Sequence, residues 1–197
     1  MPDRPEQPLT SFSLAAPRQR PLRIAVDGAQ STGKTTLIEQ LATHYENQFS
    51  YIPEAARQVA LEFGVQNADD WPALLNDRDQ LREFFSEEER WLIAKEKCGS
   101  FIVDSSWLLI QAYREYWECP RDRSLLTRAR YDLVLYCPPT NAFVEDGFRF
   151  CQGRLEVDQI YRRIAKQSLD GKLVTLPCAE PRLPFAIRAI DRLVAAK

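Results

Sequence analysis

Residues 28–35 read Gly-Ala-Gln-Ser-Thr-Gly-Lys-Thr, a G-x-x-x-x-G-K-[ST] pattern whose members suit one kind of chemistry. Gly28 and Gly33 permit backbone angles and close approaches that a side chain would forbid. The N–H groups of Ala29, Gln30, Ser31 and Thr32 can then converge on an anion, and a helix opening at Thr35-Thr36 adds more of them. Lys34 supplies a point charge for β- and γ-phosphates, and the Thr35 hydroxyl is placed to hold Mg²⁺. Residues 28–36 are therefore a candidate site for ATP and its magnesium ion.

Further candidates stand where short apolar runs end. In Ile52-Pro53-Glu54-Ala55-Ala56-Arg57, Pro53 keeps Ile52 extended and Glu54 opens a helix. Glu54 can simply complement that helix's dipole, with Arg57 as its surface partner. Alternatively it faces the γ-phosphate and binds or deprotonates an acceptor hydroxyl, while Arg57, one turn along, holds substrate or the transferring phosphate. Phe101-Ile102-Val103-Asp104 is an apolar run closed by an acid, the pattern of a strand whose carboxylate orients Mg²⁺ and its waters. Asp104 can also cap the next helix. Either Glu54 or Asp104 can accept the hydroxyl proton. Trp107 follows closely and is a candidate wall of the acceptor pocket, stacking on a planar or cationic ring. Residues 138–154 hold turn formers, Phe143, Asp146, Arg149 and Arg154. They read as a lid that excludes water and brings arginine charge to a transferring phosphoryl group, or else as a solvated loop. Arg162 and Arg163 are alternative phosphate contacts.

The elements that must position these groups are visible as a change of period. Apolar runs at 22–26, 49–52, 100–103, 131–137 and 172–176 predict five strands. Between them, Leu81, Phe84, Phe85, Trp91 and Leu92 share a face of a helix beginning near Asn76. Leu109, Ala112, Tyr113 and Tyr116 recur at helical spacing, as do Val157, Ile160, Tyr161 and Ile164. Strands alternating with helices imply a parallel sheet covered on both faces. The fold class is α/β, a three-layer P-loop NTPase/kinase fold with a five-stranded parallel sheet, whose ligands sit beyond the strands' carboxyl ends. Residues 1–20, with Pro2, Pro5, Pro8 and Pro17 and no apolar period, are predicted to be a flexible tail ahead of one domain, 21–197.

Composition narrows the partners. The 197 residues are 45% hydrophobic and 27% charged, with a net charge of −2. That balance offers no basic surface for nucleic acid. The five cysteines are widely spaced without a C-x-x-C pair, as scattered reduced thiols are. No stretch is apolar enough to cross a membrane, and the first residues lack a signal-peptide pattern, so a cytoplasmic location is expected. The partner is expected to be a small-molecule acceptor. A homo-oligomer leaves no readable pattern.

Together, G-A-Q-S-T-G-K-T, P-E-A-A-R, F-I-V-D-S-S and F-V-E-D-G-F-R with a later arginine resemble the nicotinamide riboside kinase domain of the NadR type. That domain lies within a wider, AAA_28-like group of small P-loop ATPase/kinase domains, and the resemblance runs from Leu22 to Leu193. It implies ATP on residues 28–35, Glu54 and Arg57 beside the acceptor, and Asp104 serving Mg²⁺ or the acceptor hydroxyl. It also implies a lid containing Asp146, Arg149 and Arg154, with Phe143 where that family has a tryptophan. The implied activity is transfer of the γ-phosphate to the 5′-hydroxyl of a riboside such as nicotinamide riboside. Another nucleoside, a nucleotide or a modified base is the alternative acceptor. A P-loop ATPase switch acting on a protein partner is the alternative class. The chain has no N-K-x-D element for guanine and is short for the helical lid domain of an AAA+ motor. His44 is the sole histidine, so the H-x-G-H motif of the bifunctional relatives is absent.

Overall fold

The structure is a computed structural model that describes residues 20–96, 99–121, 131–139, 143–148, 152–178 and 181–196. In chain order these form β1 (Arg23–Asp27), α1 (Lys34–Tyr45), β2 (Ser50–Ile52), α2 (Ala55–Ala60), α3 (Trp71–Asn76), α4 (Arg78–Lys95), β3 (Phe101–Asp104), α5 (Trp107–Tyr116), β4 (Leu133–Tyr136), α6 (Arg154–Ser168), β5 (Leu173–Thr175) and α7 (Leu183–Ala195). All strand pairs are parallel, in the order β2-β3-β1-β4-β5. The five predicted strands are all present.

Side chains alternate across the sheet and so divide the core in two. On β1, Ile24 and Val26 meet Leu37 and Leu41 of α1 and Ile190 of α7. Ala25 faces the opposite core, built with Phe84, Leu92, Leu109 and Tyr161 from α4, α5 and α6. Each such fully buried aliphatic side chain stabilises the fold by about 1.5–3 kcal/mol relative to exposure. The helix boundaries follow local chemistry. Asp77 caps α4, accepting from the N–H groups of Asp79 (3.1 Å) and Gln80 (3.0 Å). A proline stands in the first turn of both α3 and α7, where its missing N–H costs nothing. Trp91, expected on the inner face of α4, is only half-buried, with the Lys95 ammonium 5.3 Å from its ring centre.

The pairing of β1 with β3 sets the site. Val26 is in register with Asp104, so the loops that leave these two strands emerge side by side. Among the described residues no helix is long and apolar enough to cross a membrane.

Candidate active site

The loop after β1 is held by geometry that only glycine fits. Gly28 has φ +151, and a Cβ there would lie 2.3 Å from the Cys137 carbonyl oxygen, just beyond β4. Gly33, with φ +81, turns the chain into α1. Inside the loop, the Ala29 carbonyl accepts from Thr32 Oγ1 (3.0 Å) and Lys34 Nζ (3.3 Å). Lys34 is 3% exposed, so its ammonium sits inside the loop it would use to bind phosphate. Arg154, the first residue of α6, donates to the Ser31 carbonyl at 3.2 Å. Arg182 donates to three carbonyls: Thr32 in the loop, Pro138 beyond β4 (3.1 Å) and Pro177 beyond β5 (3.1 Å).

Beneath the loop, Asp27 is fully buried and accepts from the Ser106 N–H (2.7 Å), the Ser106 hydroxyl (2.6 Å) and the Tyr161 hydroxyl (2.9 Å). Burial pushes its carboxyl above the usual range, against the pull of these hydrogen bonds and of Lys34. One side chain thus ties the root of the loop to the start of α5 and to α6. Ser105 beside it has φ +75, a left-handed conformation that costs a non-glycine residue on the order of 1–3 kcal/mol.

Thr35 Oγ1 donates to Asp104 Oδ2 at 2.7 Å, so the two expected metal ligands are already in contact. A hydroxyl and a carboxylate are the hard oxygen donors that Mg²⁺ takes together with phosphate oxygens and waters. The cap of α5 is Ser106, which accepts from the Leu108 N–H at 3.1 Å, and not Asp104.

On the acceptor side, Glu54 and Arg57 form an ion pair at 3.2 Å, and Arg57 also pairs with Asp146. The surface-pair expectation for Glu54 and Arg57 therefore holds in part. Yet Glu54 also borders two adjoining spaces. One is a cleft of about 620 Å³ shared with Thr35, Arg57 and Asp104. The other is a cavity of about 680 Å³, counting its mouth, walled by Trp71, Phe84, Phe85, Tyr113, Trp117 and Phe148. Gln30 and Ser105 also line that cavity, on the phosphate side. Aromatic walls with a few polar groups among them are the lining of a small-molecule site.

Of residues 143–148, Phe148 lines the cavity. The Val144 N–H donates to Ser31 Oγ at 2.9 Å, and the Trp71 indole N–H donates to the Phe148 carbonyl at 2.7 Å. The Arg57 guanidinium lies 4.7 Å from the centre of the Phe148 ring. These contacts tie residues 143–148 to the phosphate loop at Ser31 and to the cavity wall at Trp71 and Arg57; residues 140–142 and 149–151 of the expected lid lie outside the described residues.

These features lie on a chain whose residues 23–176 match AAA_28, described as an AAA domain. The chain belongs to the AAA_28 family. Among curated proteins no relative matches. Solved structures of similar fold include NadR protein in complex with NR, with a TM-score of 0.61 and 23% identity over 90% of this chain and 52% of that one. NadR protein in complex with NAD and AMP-PNP gives 0.64 and 23%, over 90% and 50%. Deoxyadenosine kinase from M. mycoides with bound dATP gives 0.58 and 12%, over 86% and 100%. This AAA_28 chain thus shares a P-loop kinase fold and spans about half the length of the NadR chains it matches.

Within this AAA_28 domain the residues named from sequence separate into two groups. Gly28 to Thr36, Glu54, Arg57, Asp104, Asp146 and Arg154 converge on the loop, the cleft and the mouth of the cavity. Trp107 does not: it is 2% exposed, and its indole N–H donates to Glu96 Oε2 at 2.9 Å, away from the cavity walls. Phe143 is half-buried and does not line the cavity, whereas Phe148, from the same segment, does. Arg162 pairs with Asp158 (3.0 Å) and Arg163 with Glu115, so neither reaches the loop. Arg149 lies outside the described residues. Sequence reasoning missed Asp27, Glu88 and Arg182. Glu88 carried a signal, because an acid at that point interrupts the apolar stripe of Leu81, Phe84, Phe85 and Leu92.

Proposed function

We propose that this chain is an ATP-dependent kinase that moves the γ-phosphate onto the 5′-hydroxyl of a riboside, with nicotinamide riboside as the first acceptor to test. The observation that carries the reading is the position of Glu54. One carboxylate borders both the cleft of Thr35 and Asp104 and the aromatic cavity. A flat ring in the cavity would leave its ribose beside that carboxylate and its 5′-oxygen toward the end of a triphosphate. The ligands named for the similar structures, NR, AMP-PNP and dATP, support a small-molecule acceptor and an adenine nucleotide.

In this reading the N–H groups of residues 28–36 hold the triphosphate, and the Lys34 ammonium exchanges the Ala29 carbonyl for phosphate oxygens. Thr35 and Asp104 would hold Mg²⁺, which neutralises charge on the β- and γ-phosphates. Glu54 takes the 5′-hydroxyl proton as that oxygen bonds to the γ-phosphorus. The bond from phosphorus to the bridging oxygen breaks, and ADP leaves. Asp104 suits the base role less, because its Oδ2 already accepts from Thr35. Arg154 and Arg149 are the cations assigned to the transferring group. Arg57 and Asp146 hold the lid against the acceptor. The compartment we assign is the cytoplasm.

The test is ADP release with ATP·Mg²⁺ against a panel of nucleosides and nucleotides. Nicotinamide riboside should raise the rate well above the acceptor-free background. If another nucleoside does so instead, the acceptor assignment fails while the kinase survives. Turnover stimulated by a protein partner and by no small molecule would replace the kinase with an ATPase switch.

A further inference from the structure

The aromatic cavity contains a carboxyl that the phosphoryl-transfer chemistry leaves without a task. Glu88, on the inner face of α4, is 6% exposed and lines the cavity together with the aromatic side chains and Glu54. Acids are kept out of such places unless they are paired or used. The next residue shows what pairing looks like. Glu89 accepts from Gln111 Nε2 and from Arg114 Nη1, both at 2.8 Å.

The charges that face Glu88 come from several elements. Glu54 at the start of α2 and Glu89 on α4 are negative, and both oppose ionisation of Glu88. Arg114 on α5 is positive, but it is held by Glu89 and by the Pro120 carbonyl at 2.7 Å. At the mouth, Arg57 is shared between Glu54 and Asp146. Tyr113 is the titratable group α5 adds to the wall. Two carboxyls and six aromatic rings thus line the space where a ring would lie, an environment that suits positive charge. On its phosphate side, Gln30 Oε1 is buried without a hydrogen-bond partner among the described residues, as an acceptor awaiting a ligand's donor would be.

We propose that Glu88 is the specificity-determining residue of the acceptor site: its carboxyl faces the acceptor's ring, favours a positively charged ring over a neutral one, and releases its proton to solvent when the charged ring enters. The inference rests on the riboside reading for its acceptor, but its subject is the charge of the ring.

The proton follows from the same geometry. Burial, then the charge of Glu54, push the Glu88 carboxyl up to about 8. Near neutral pH the open cavity holds the protonated acid. A cation against it favours the carboxylate, so binding expels a proton. Affinity for the charged ring then rises with pH up to about 8, by at most about tenfold per pH unit. A neutral ring gains nothing and loses affinity once Glu88 ionises against it.

The experiment is a binding titration, read by Trp71 and Trp117 fluorescence and by calorimetry in two buffers of different ionisation enthalpy, from pH 6.5 to 9. The ligands are nicotinamide riboside and its neutral dihydro form, with 1-methylnicotinamide and neutral nicotinamide as bare-ring controls. Wild type should bind the charged member of each pair with severalfold rising affinity between pH 6.5 and 8 and should release up to one proton. Glu88→Gln, which mimics the protonated acid, should match wild type within about twofold at pH 6.5 and show no rise. Equal affinity for charged and neutral rings at every pH overturns the proposal, as does a rise that survives in Glu88→Gln. If ribosides fail to bind but the bare cation shows the Glu88-dependent rise, the riboside reading falls and this one stands. If ribosides are phosphorylated without regard to ring charge, the kinase stands and this proposal falls.

Discussion

Thr35, in the first turn of α1, and Asp104, the last residue of β3, meet through a 2.7 Å hydrogen bond. Sixty-nine residues separate them in the chain. The contact exists because β1 and β3 are neighbours in the sheet with Val26 opposite Asp104. A hydroxyl and a carboxylate brought together before any phosphate arrives would supply two of the oxygen ligands of the proposed Mg²⁺ site, and both line the cleft that Glu54 borders. In the proposed reading one acid serves the metal and the other the acceptor.

That division predicts different losses for the two acids. Asp104→Asn should lower kcat by about 10²-fold or more and raise the Mg²⁺ concentration needed for half-maximal rate. Glu54→Gln should lower kcat by about 10²–10⁴-fold, the usual worth of a positioned base, with the Mg²⁺ requirement unchanged. Steady-state rates over a magnesium titration separate them. A shifted Mg²⁺ requirement in Glu54→Gln, with none in Asp104→Asn, would reverse the assignment.

Much of this is legible in the sequence. The five apolar runs and three helical stripes place the sheet, and the 28–35 pattern places the loop, because each depends on contacts near in sequence. Glu54 and Asp104 were found because strand ends are where such folds bind ligands. What failed was the direction of side chains beyond those ends. Trp107 sits one residue past the Ser106 cap, and that turn sends its ring into the core, where the indole N–H donates to Glu96. Phe148, not Phe143, reaches the cavity because the Trp71 N–H fixes the Phe148 carbonyl. Arg182 clamps three loops that meet only in the folded sheet, so no local pattern marks it.

The loop's first glycine offers a test of close packing. Gly28→Ala places a methyl 2.3 Å from the Cys137 carbonyl oxygen and 2.8 Å from Thr32 Oγ1, at φ +151. We expect at least about 2 kcal/mol of lost stability and loss of nucleotide binding. Gly171→Ala, at φ +77 with nothing within 4 Å, should cost only the backbone contribution of about 1–2 kcal/mol and leave nucleotide binding intact. Denaturant midpoints and ATP-analogue titrations of the two variants give the comparison.

Glu88 also makes stability depend on pH. Its carboxyl titrates near 4.5 in the unfolded chain and near 8 in the folded one. Between those values the folded state holds more protons, so stability falls as pH rises and levels off above about 8. Glu88→Gln escapes this penalty. The variant should equal wild type near pH 4 and exceed it by a few kcal/mol at pH 8–9, because each pH unit between the two titration points costs wild type about 1.4 kcal/mol. Urea midpoints at the two pH values decide, and a difference that is constant with pH would contradict it.

Arg182 supplies the last prediction. Its guanidinium joins the carbonyls of Thr32, Pro138 and Pro177, and so holds the phosphate loop against the segments that follow β4 and β5. A planar fork can bridge three acceptors that an ammonium on a flexible stem cannot. Arg182→Lys should therefore behave more like Arg182→Ala than like wild type. Both should lose about 1–3 kcal/mol of stability, since the carbonyls are left without their donor. Both should also weaken ATP binding severalfold, because the Thr32 carbonyl fixes the orientation of the loop's N–H groups. The role is positional, so the effect should fall on the KM for ATP while the KM for the acceptor stays within about twofold. An equal rise in both constants would mean that Arg182 supports the whole site and not the loop alone.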